Sequence, residues 1–191
     1  MILEGILTTI NTDSSVNIAP MGPRVDASMR ELVLRPFQTS TTYANLKRTG
    51  QGVFHVTDDV ELLAHAAVGD VEPRPQLVPA GAIEGWILAD CCRWYALRVR
   101  TLDDHEPRTR IVADVVDQGR NRDFFGFNRG KHAVLEAAIL ATRVHLLAAA
   151  EIARQMRELS VLVEKTGGDA ELRAFRFLDA YIRAAAAGKL S

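Results

Sequence analysis

The sequence is short of cysteine, of charge imbalance and of long apolar runs, and each shortage excludes something. Only two cysteines occur in 191 residues, and they are neighbours, Cys91 and Cys92. Neighbouring cysteines rarely reach good disulfide geometry, so both are expected as thiols. Two adjacent thiolates also make a poor chelate, and His55, His65, His105, His132 and His145 are dispersed, so no metal site is expected. Basic and acidic side chains number 23 and 24, a formal net charge of -1, which argues against a basic nucleic-acid binder. No apolar run reaches the ~18 residues of a spanning helix, so no membrane partner is expected. The opening MILEGILTTINTD lacks a basic start and carries Glu4, unlike a secretory signal. Thiols without a signal point to the cytoplasm.

Several catalytic signatures are also missing. The chain has no GxGxxG, no GxxxxGK[ST], no GxSxG and no HExxH, and no pair of acid–base residues stands out. What is present is an ordinary globular composition, 48% hydrophobic and 25% charged. The length suits one domain, or one with an appendage.

The chain has two textures. Up to about residue 120, β-branched and aromatic residues alternate with turn signals. Strands are expected at Ile2–Ile10 and Val16–Met21, joined as a hairpin across Asn11–Ser15, and at Glu31–Phe37 and Gly52–Thr57. A short helix is expected over Thr39–Thr49, closed by Gly50, and another over Asp58–Val68, stopped near Gly69. Gly69–Gly81, with three prolines, reads as a loop. Trp86–Leu102 and Arg108–Gln118 read as two strands joined by a polar turn, with Arg98, Arg100, Arg108 and Arg110 on a solvated face. Lys131–Glu164 then contains neither Gly nor Pro, and its apolar residues recur at steps of three and four. That predicts one long helix, apolar on several sides and covered by the sheet and a second subunit, with Ala170–Ala187 returning beside it.

Three segments carry chemistry. In LRPFQTSTTYANL a strand ends and four hydroxyls, Thr39, Ser40, Thr41 and Thr42, open a helix just after Arg35. Unpaired N–H groups and the dipole make a helix N-terminus an anion site, and an arginine adds a fork for phosphate. Plain capping would need one of those hydroxyls, so a phosphate site and a cap both stand open. Asn128-Arg129-Gly130-Lys131-His132 places cations at another helix start, where they oppose the dipole. This is either a ligand or partner contact or a solvated loop, and Phe124, Phe125 and Phe127 lie just upstream, as core or as packing for a flat ring. Ala19-Pro20-Met21-Gly22 offers either close backbone approach to a ligand or a blunted edge strand.

Taken together, MILEGILTTINTDSSVNIAPMGP, LVLRPFQTSTTYANLKRTGQGVFHVTDDV and FNRGKHAVLEAAILATR resemble an FMN-binding split-barrel family related to the flavin reductases, domain of unknown function family 447. The resemblance covers most of residues 1–150. It implies an α+β, mainly β, fold: a flavin-reductase-like split β-barrel over residues 1–127, with a C-terminal helical hairpin over 128–191 packed on the barrel and the dimer interface. It implies FMN as cofactor, in a homodimer with the flavin sites at the subunit interface. Transferred residue by residue, Ala19, Pro20, Met21 and Gly22 would run along the ring. Arg35, Thr39, Ser40 and Thr41 would hold the phosphate. Asn128, Arg129, Lys131 and His132 would approach either, from the partner subunit. Gly22 is a departure, since many flavin reductases carry a hydroxyl residue there. The function implied is a small-molecule oxidoreductase transferring hydride or electrons. A non-catalytic flavin carrier or sensor is the alternative, and a helical interaction protein is a third reading.

Overall fold

The turn Asn11–Ser15 shows how local chemistry starts this fold. The Asp13 carboxylate accepts from the Ser15 N–H and hydroxyl at 2.9 and 2.6 Å, and the Asn11 N–H donates to the Ser15 carbonyl at 2.8 Å. Strands β1 (Gly5–Ile10) and β2 (Val16–Met21) leave this turn in a register that runs from Ile10 opposite Val16 to Gly5 opposite Met21. The computed structural model describes residues 1–69 and 71–188.

The remaining elements are β3 (Glu31–Leu34), α1 (Thr41–Thr49), β4 (Gln51–Val56), α2 (Val60–Val68), β5 (Leu77–Pro79), β6 (Trp86–Leu88), β7 (Arg93–Asp103), β8 (Arg110–Arg120), α3 (Arg129–Ala141), α4 (Ala149–Thr166) and α5 (Asp169–Ala186). They form two compact units. The first comprises Met1–Thr57 and Pro73–Phe124, and the second comprises Asp58–Glu72 and the chain from Phe125 on. The fold is mainly β in the first unit and helical in the second.

In the first unit six antiparallel strands run β2-β1-β4-β7-β8-β3. Beyond β2 the chain closes the sheet on itself, because Arg24 and Val33 exchange backbone hydrogen bonds of 2.9 and 3.0 Å. Alternation then sorts the side chains. Leu7, Leu32, Leu34, Phe54, Leu97 and Ile111 are fully buried inside. β1 is buried along almost its whole length, so its two threonines need partners. Thr8 donates to the Trp86 carbonyl at 2.6 Å, and Thr9 accepts from Asn17 and Asn45 at 3.2 and 3.0 Å. His55 is fully buried on β4. Its Nδ1 lies 3.2 Å from the Ile6 carbonyl and its Nε2 accepts from the Leu88 N–H at 3.1 Å, so a neutral ring with hydrogen on Nδ1 satisfies both.

The strand expected over Trp86–Leu102 is two strands. β6 pairs with β5, inside the proline-rich stretch, whereas β7 pairs with β4 and β8. The break falls at Ala89–Cys92, where the Cys91 N–H turns back to Leu88 and the Cys92 N–H donates to Val56 at 2.9 Å. Neither cysteine forms a disulfide among the described residues, and both are buried. Burial, with Cys92 alongside, pushes the Cys91 thiol up to about 12.

The single long helix expected over Lys131–Glu164 is likewise two. α3 stops at Thr142 and α4 starts after Ala148. An unbroken helix there would run about 50 Å, far longer than the helices it packs against. Folding it back lets Ala133, Ala137 and Ala138 of α3 and Ile152, Met156 and Val163 of α4 be buried in one unit. Tertiary packing thus overrides a pattern with no breaker in it. The C-terminal part is therefore three helices rather than a hairpin. α2 joins them, packing against α3 and α5, with the His65 ring stacked on Phe177 at 4.0 Å. No helix among the described residues is long and apolar enough to cross a membrane.

Candidate functional site

The turn between β3 and α1 is built by Pro36, Gln38 and Ser40. Pro36 ends the strand because it lacks a donor, and its carbonyl accepts from the Thr109 N–H and the buried Thr109 hydroxyl at 3.0 and 2.8 Å. Gln38 donates to the carbonyls of Asp104 and Glu106, binding the β7–β8 turn alongside. Tyr43 and Lys47, one turn apart on α1, both reach the Asp104 carboxylate, at 2.6 and 2.8 Å. The hydrogen bond from Lys47, reinforced by Tyr43, holds Asp104 below the usual carboxylate range.

The four hydroxyls of this turn divide evenly. The Ser40 oxygen accepts from the Tyr43 N–H at 3.2 Å and its hydrogen goes to the Phe37 carbonyl at 2.8 Å, so Ser40 is the helix cap. Thr42 is buried and accepts from Asn17 at 3.1 Å. Thr39 and Thr41 are exposed, and their hydroxyls meet no partner among the described residues. Arg35, half-buried at the end of β3, has no ion pair there either.

Strand register extends this turn into a pocket. The pairing of Leu34 with Ile111 and of Phe37 with Arg108 puts Arg35 opposite Arg110. Leu32 and Leu34 point inward, so Val33, Arg35 and Phe37 face out. Together with Arg24, Arg108, Arg110, Asp103 and Glu106 they line a cavity of about 580 Å³. The Arg108 guanidinium lies 5.4 Å from the Phe37 ring centroid, and Phe37 is 54% exposed. None of the four arginines forms an ion pair among the described residues.

Along β2, Ala19, Pro20, Met21 and Gly22 are half-buried. β2 ends the strand order; on its other edge the Val16 carbonyl accepts from Arg74 at 2.8 Å, while no second strand pairs with Ala19–Met21 among the described residues. Pro20 sits there without penalty. At Gly22 a Cβ would lie 2.9–3.0 Å from the Glu4 carboxylate and from Ile2, so that carboxylate fills the space a larger residue would need.

In the second unit, Asn128 caps α3. Its Oδ1 accepts from the Lys131 N–H at 3.0 Å and its amide donates to the Thr166 carbonyl at 2.8 Å. Lys131 pairs with Glu171 at 2.9 Å and donates to the Asp58 carbonyl at 2.8 Å. Two of the four residues expected to meet a ligand are therefore held by the helical unit itself. Arg129 and His132 are exposed, with His132 3.9 Å from Glu136.

Of Arg35, Thr39 and Thr41, only Arg35 lines the cavity, together with residues that pattern alone assigned to a solvated face. Arg108 and Arg110 are exposed as expected, yet they converge with Arg24 and Arg35. The signal in the sequence was the like-charge pairing that a β3–β8 register implies, which is unreadable until the register is known.

Comparison with known proteins places the chain. Residues 3–122 match the family model described as "Protein of unknown function (DUF447) N-terminal domain", and residues 128–179 match "Protein of unknown function (DUF447)". An FMN-bound DUF447 protein of Methanosarcina mazei superposes with a TM-score of 0.79, at 27% identity over 94% of each chain. A flavoredoxin from Methanosarcina acetivorans gives 0.54 at 12% identity, over 62% of this chain and 68% of that one. The styrene monooxygenase flavin reductase of Pseudomonas putida gives 0.53 at 11%, over 64% and 82%. These two share the flavin-reductase-like fold. No curated protein matched in sequence. With its two family matches covering most of its length, the chain belongs to the DUF447 family.

Proposed function

We propose that this chain binds FMN and uses it as a small-molecule oxidoreductase. The observation that carries the reading is the β3–α1 turn: Arg35, Thr39 and Thr41 are side-chain donors with no partner among the described residues, at the start of a capped helix. A phosphate only accepts hydrogen bonds, so this donor set fits it, and the first-turn N–H groups add to it. Ser40 builds the turn rather than donating from it. The edge of β2 at Ala19–Met21, with no second strand on it among the described residues, suits a flat ring that needs close backbone approach. The FMN-bound relative supports the same cofactor. When bound, FMN supplies hydride and electron transfer, and the protein's part is to hold and tune it.

In this reading Arg35, Thr39 and Thr41 anchor the phosphate and β2 lies along the ring. The chain forms a homodimer in which Arg129 and His132 of a partner subunit add to the flavin site, while Asn128 and Lys131 shape that loop. The exposed rings of Phe125 and Phe127 support a covered interface. The two buried thiols, Cys91 and Cys92, support a reducing compartment such as the cytoplasm. Titration of FMN beside riboflavin, by flavin fluorescence, tests the core of this. Micromolar binding of FMN with much weaker riboflavin is expected, and equal affinity refutes phosphate reading.

A second reading, a flavin carrier or sensor without turnover, is favoured by one observation. The acid nearest the turn, Asp104, is locked to Lys47 and Tyr43 and is not poised for proton transfer. Bleaching of bound flavin by NADH or NADPH, with reoxidation by an acceptor, excludes it.

A further inference from the structure

The arginine pocket holds more cationic capacity than the β3–α1 turn uses. With Arg35 turned to the flavin phosphate, three guanidiniums remain, those of Arg24, Arg108 and Arg110. None is ion-paired among the described residues. Elsewhere on the same sheet the protein does neutralise an exposed arginine. Arg100 binds Asp114 at 2.7 Å and also Glu31. Asp103 and Glu106 line the pocket with these arginines, yet neither is within ion-pair reach of one. Arg110 stands across from Arg35 on β3 and from Asp103 on β7, so the like-charge repulsion across β3–β8 faces a carboxylate that lies beyond ion-pair reach. An arrangement of that kind is relieved by an anion placed among the guanidiniums.

The other walls narrow the class of anion. Phe37 presents a half-exposed ring with the Arg108 guanidinium over it, a surface on which a flat base can stack. Asp103 and Glu106 are acceptors at the same site, suited to amino or hydroxyl groups and repelling to a bare anion. A cavity of about 580 Å³ has room for a base, a sugar and a phosphate together. Neither inorganic phosphate nor an uncharged ring would use all of these walls.

We propose that the pocket formed by Arg24, Phe37, Arg108 and Arg110 is a second nucleotide site, separate from the flavin site, which takes an adenine nucleotide through base stacking and a phosphomonoester. The phosphomonoester can belong to a free mononucleotide or to the 2′-phosphate of a dinucleotide reductant. The pocket stands on its own geometry, and its only link to the flavin reading is the allocation of Arg35.

The test is calorimetric titration of the full-length protein with 5′-AMP and NADPH, with adenosine and inorganic phosphate as controls, before and after saturation with FMN. At least one phosphorylated nucleotide is expected to bind tenfold or more tighter than both controls. Tighter 5′-AMP assigns a mononucleotide, and tighter NADPH with weak NADH assigns the dinucleotide. R110Q and F37A are each expected to weaken that binding at least tenfold while FMN affinity stays within twofold. Wild-type binding no tighter than that of the controls overturns the proposal, as does nucleotide binding unchanged in both variants. So does competition between nucleotide and FMN, which would make this one site. FMN binding without nucleotide binding defeats this inference alone, and nucleotide binding without FMN binding defeats the flavin reading alone.

Discussion

Acid should unfold this protein early, through His55. The ring is fully buried between β1, β4 and β6, with one nitrogen on the Ile6 carbonyl and the other receiving the Leu88 N–H. A protonated imidazolium has no acceptor capacity, so it would lose the Leu88 bond and bury a charge. Burial accordingly lowers the His55 pKa from its ordinary 6.5 to about 4. The sign follows from linkage. The unfolded chain binds the proton from pH 6.5 downward and the folded chain does not, so stability falls as pH drops from about 6.5 to about 4 and levels off below. At about 1.4 kcal/mol per pKa unit the full effect is of order 3 kcal/mol, and about 2 kcal/mol of it is lost between pH 7.5 and pH 5.

That loss is a large part of the roughly 5–15 kcal/mol that holds a domain together. The measurement is urea unfolding at pH 7.5, 6 and 5, for wild type and for His55→Gln. Glutamine keeps an acceptor for Leu88 and a donor for Ile6 but cannot be charged. It should be less stable at pH 7.5, through imperfect packing, and nearly flat between pH 7.5 and 5. Carboxylates such as Asp104, which Lys47 holds low, keep their contribution throughout this window and lose it only as pH falls through their depressed values. Parallel pH profiles for the two proteins would refute the assignment to His55.

Four further outcomes are expected. Arg35→Ala should weaken FMN by about 1–3 kcal/mol in a fluorescence titration, with thermal stability nearly unchanged. Ser40→Ala should do the reverse, costing about 1 kcal/mol of stability by denaturant unfolding and little FMN affinity, because its hydroxyl caps α1. Gly5→Ala should destabilise by about 3 kcal/mol, since the new Cβ would sit 2.2 Å from the His55 carbonyl oxygen, and unfolding midpoints would show it. Lys131→Met should cost about 2–3 kcal/mol by leaving the buried Glu171 carboxylate without its cation, and adding Glu171→Gln should recover part of that.

The strand and helix pattern was legible in the sequence wherever local chemistry decides the backbone. The β1–β2 hairpin, the Ser40 cap, Gly50 in the left-handed conformation at φ 66° and the Asp59 cap of α2 are all chosen by residues within a few positions. The breaks at Ala89–Cys92 and at Thr142–Ala148 were not legible, because no glycine or proline marks either. Both follow from where the flanking segments must pack: β6 against β5, and α4 back against α3. Such demands are set by distant parts of the chain and leave no local trace.

The site divides along the same line. Arg35 and the hydroxyl run are contiguous, so their chemistry could be read directly, but which hydroxyls remain available could not. Thr42 is taken by Asn17, 25 positions away, and Ser40 by its own helix. Among the described residues two hydroxyls of the run, Thr39 and Thr41, are left without a partner, on either side of the cap. The arginine pocket goes further. Arg24, Arg35, Arg108 and Arg110 look like four ordinary surface residues until a closed barrel brings strand ends from opposite halves of the first unit together. Closure through Arg24 and Val33 and the β3–β8 register are therefore what gather residues of a solvated face around one cavity. In a barrel of this kind, sequence shows which residues can bind an anion, and register decides which of them do so together.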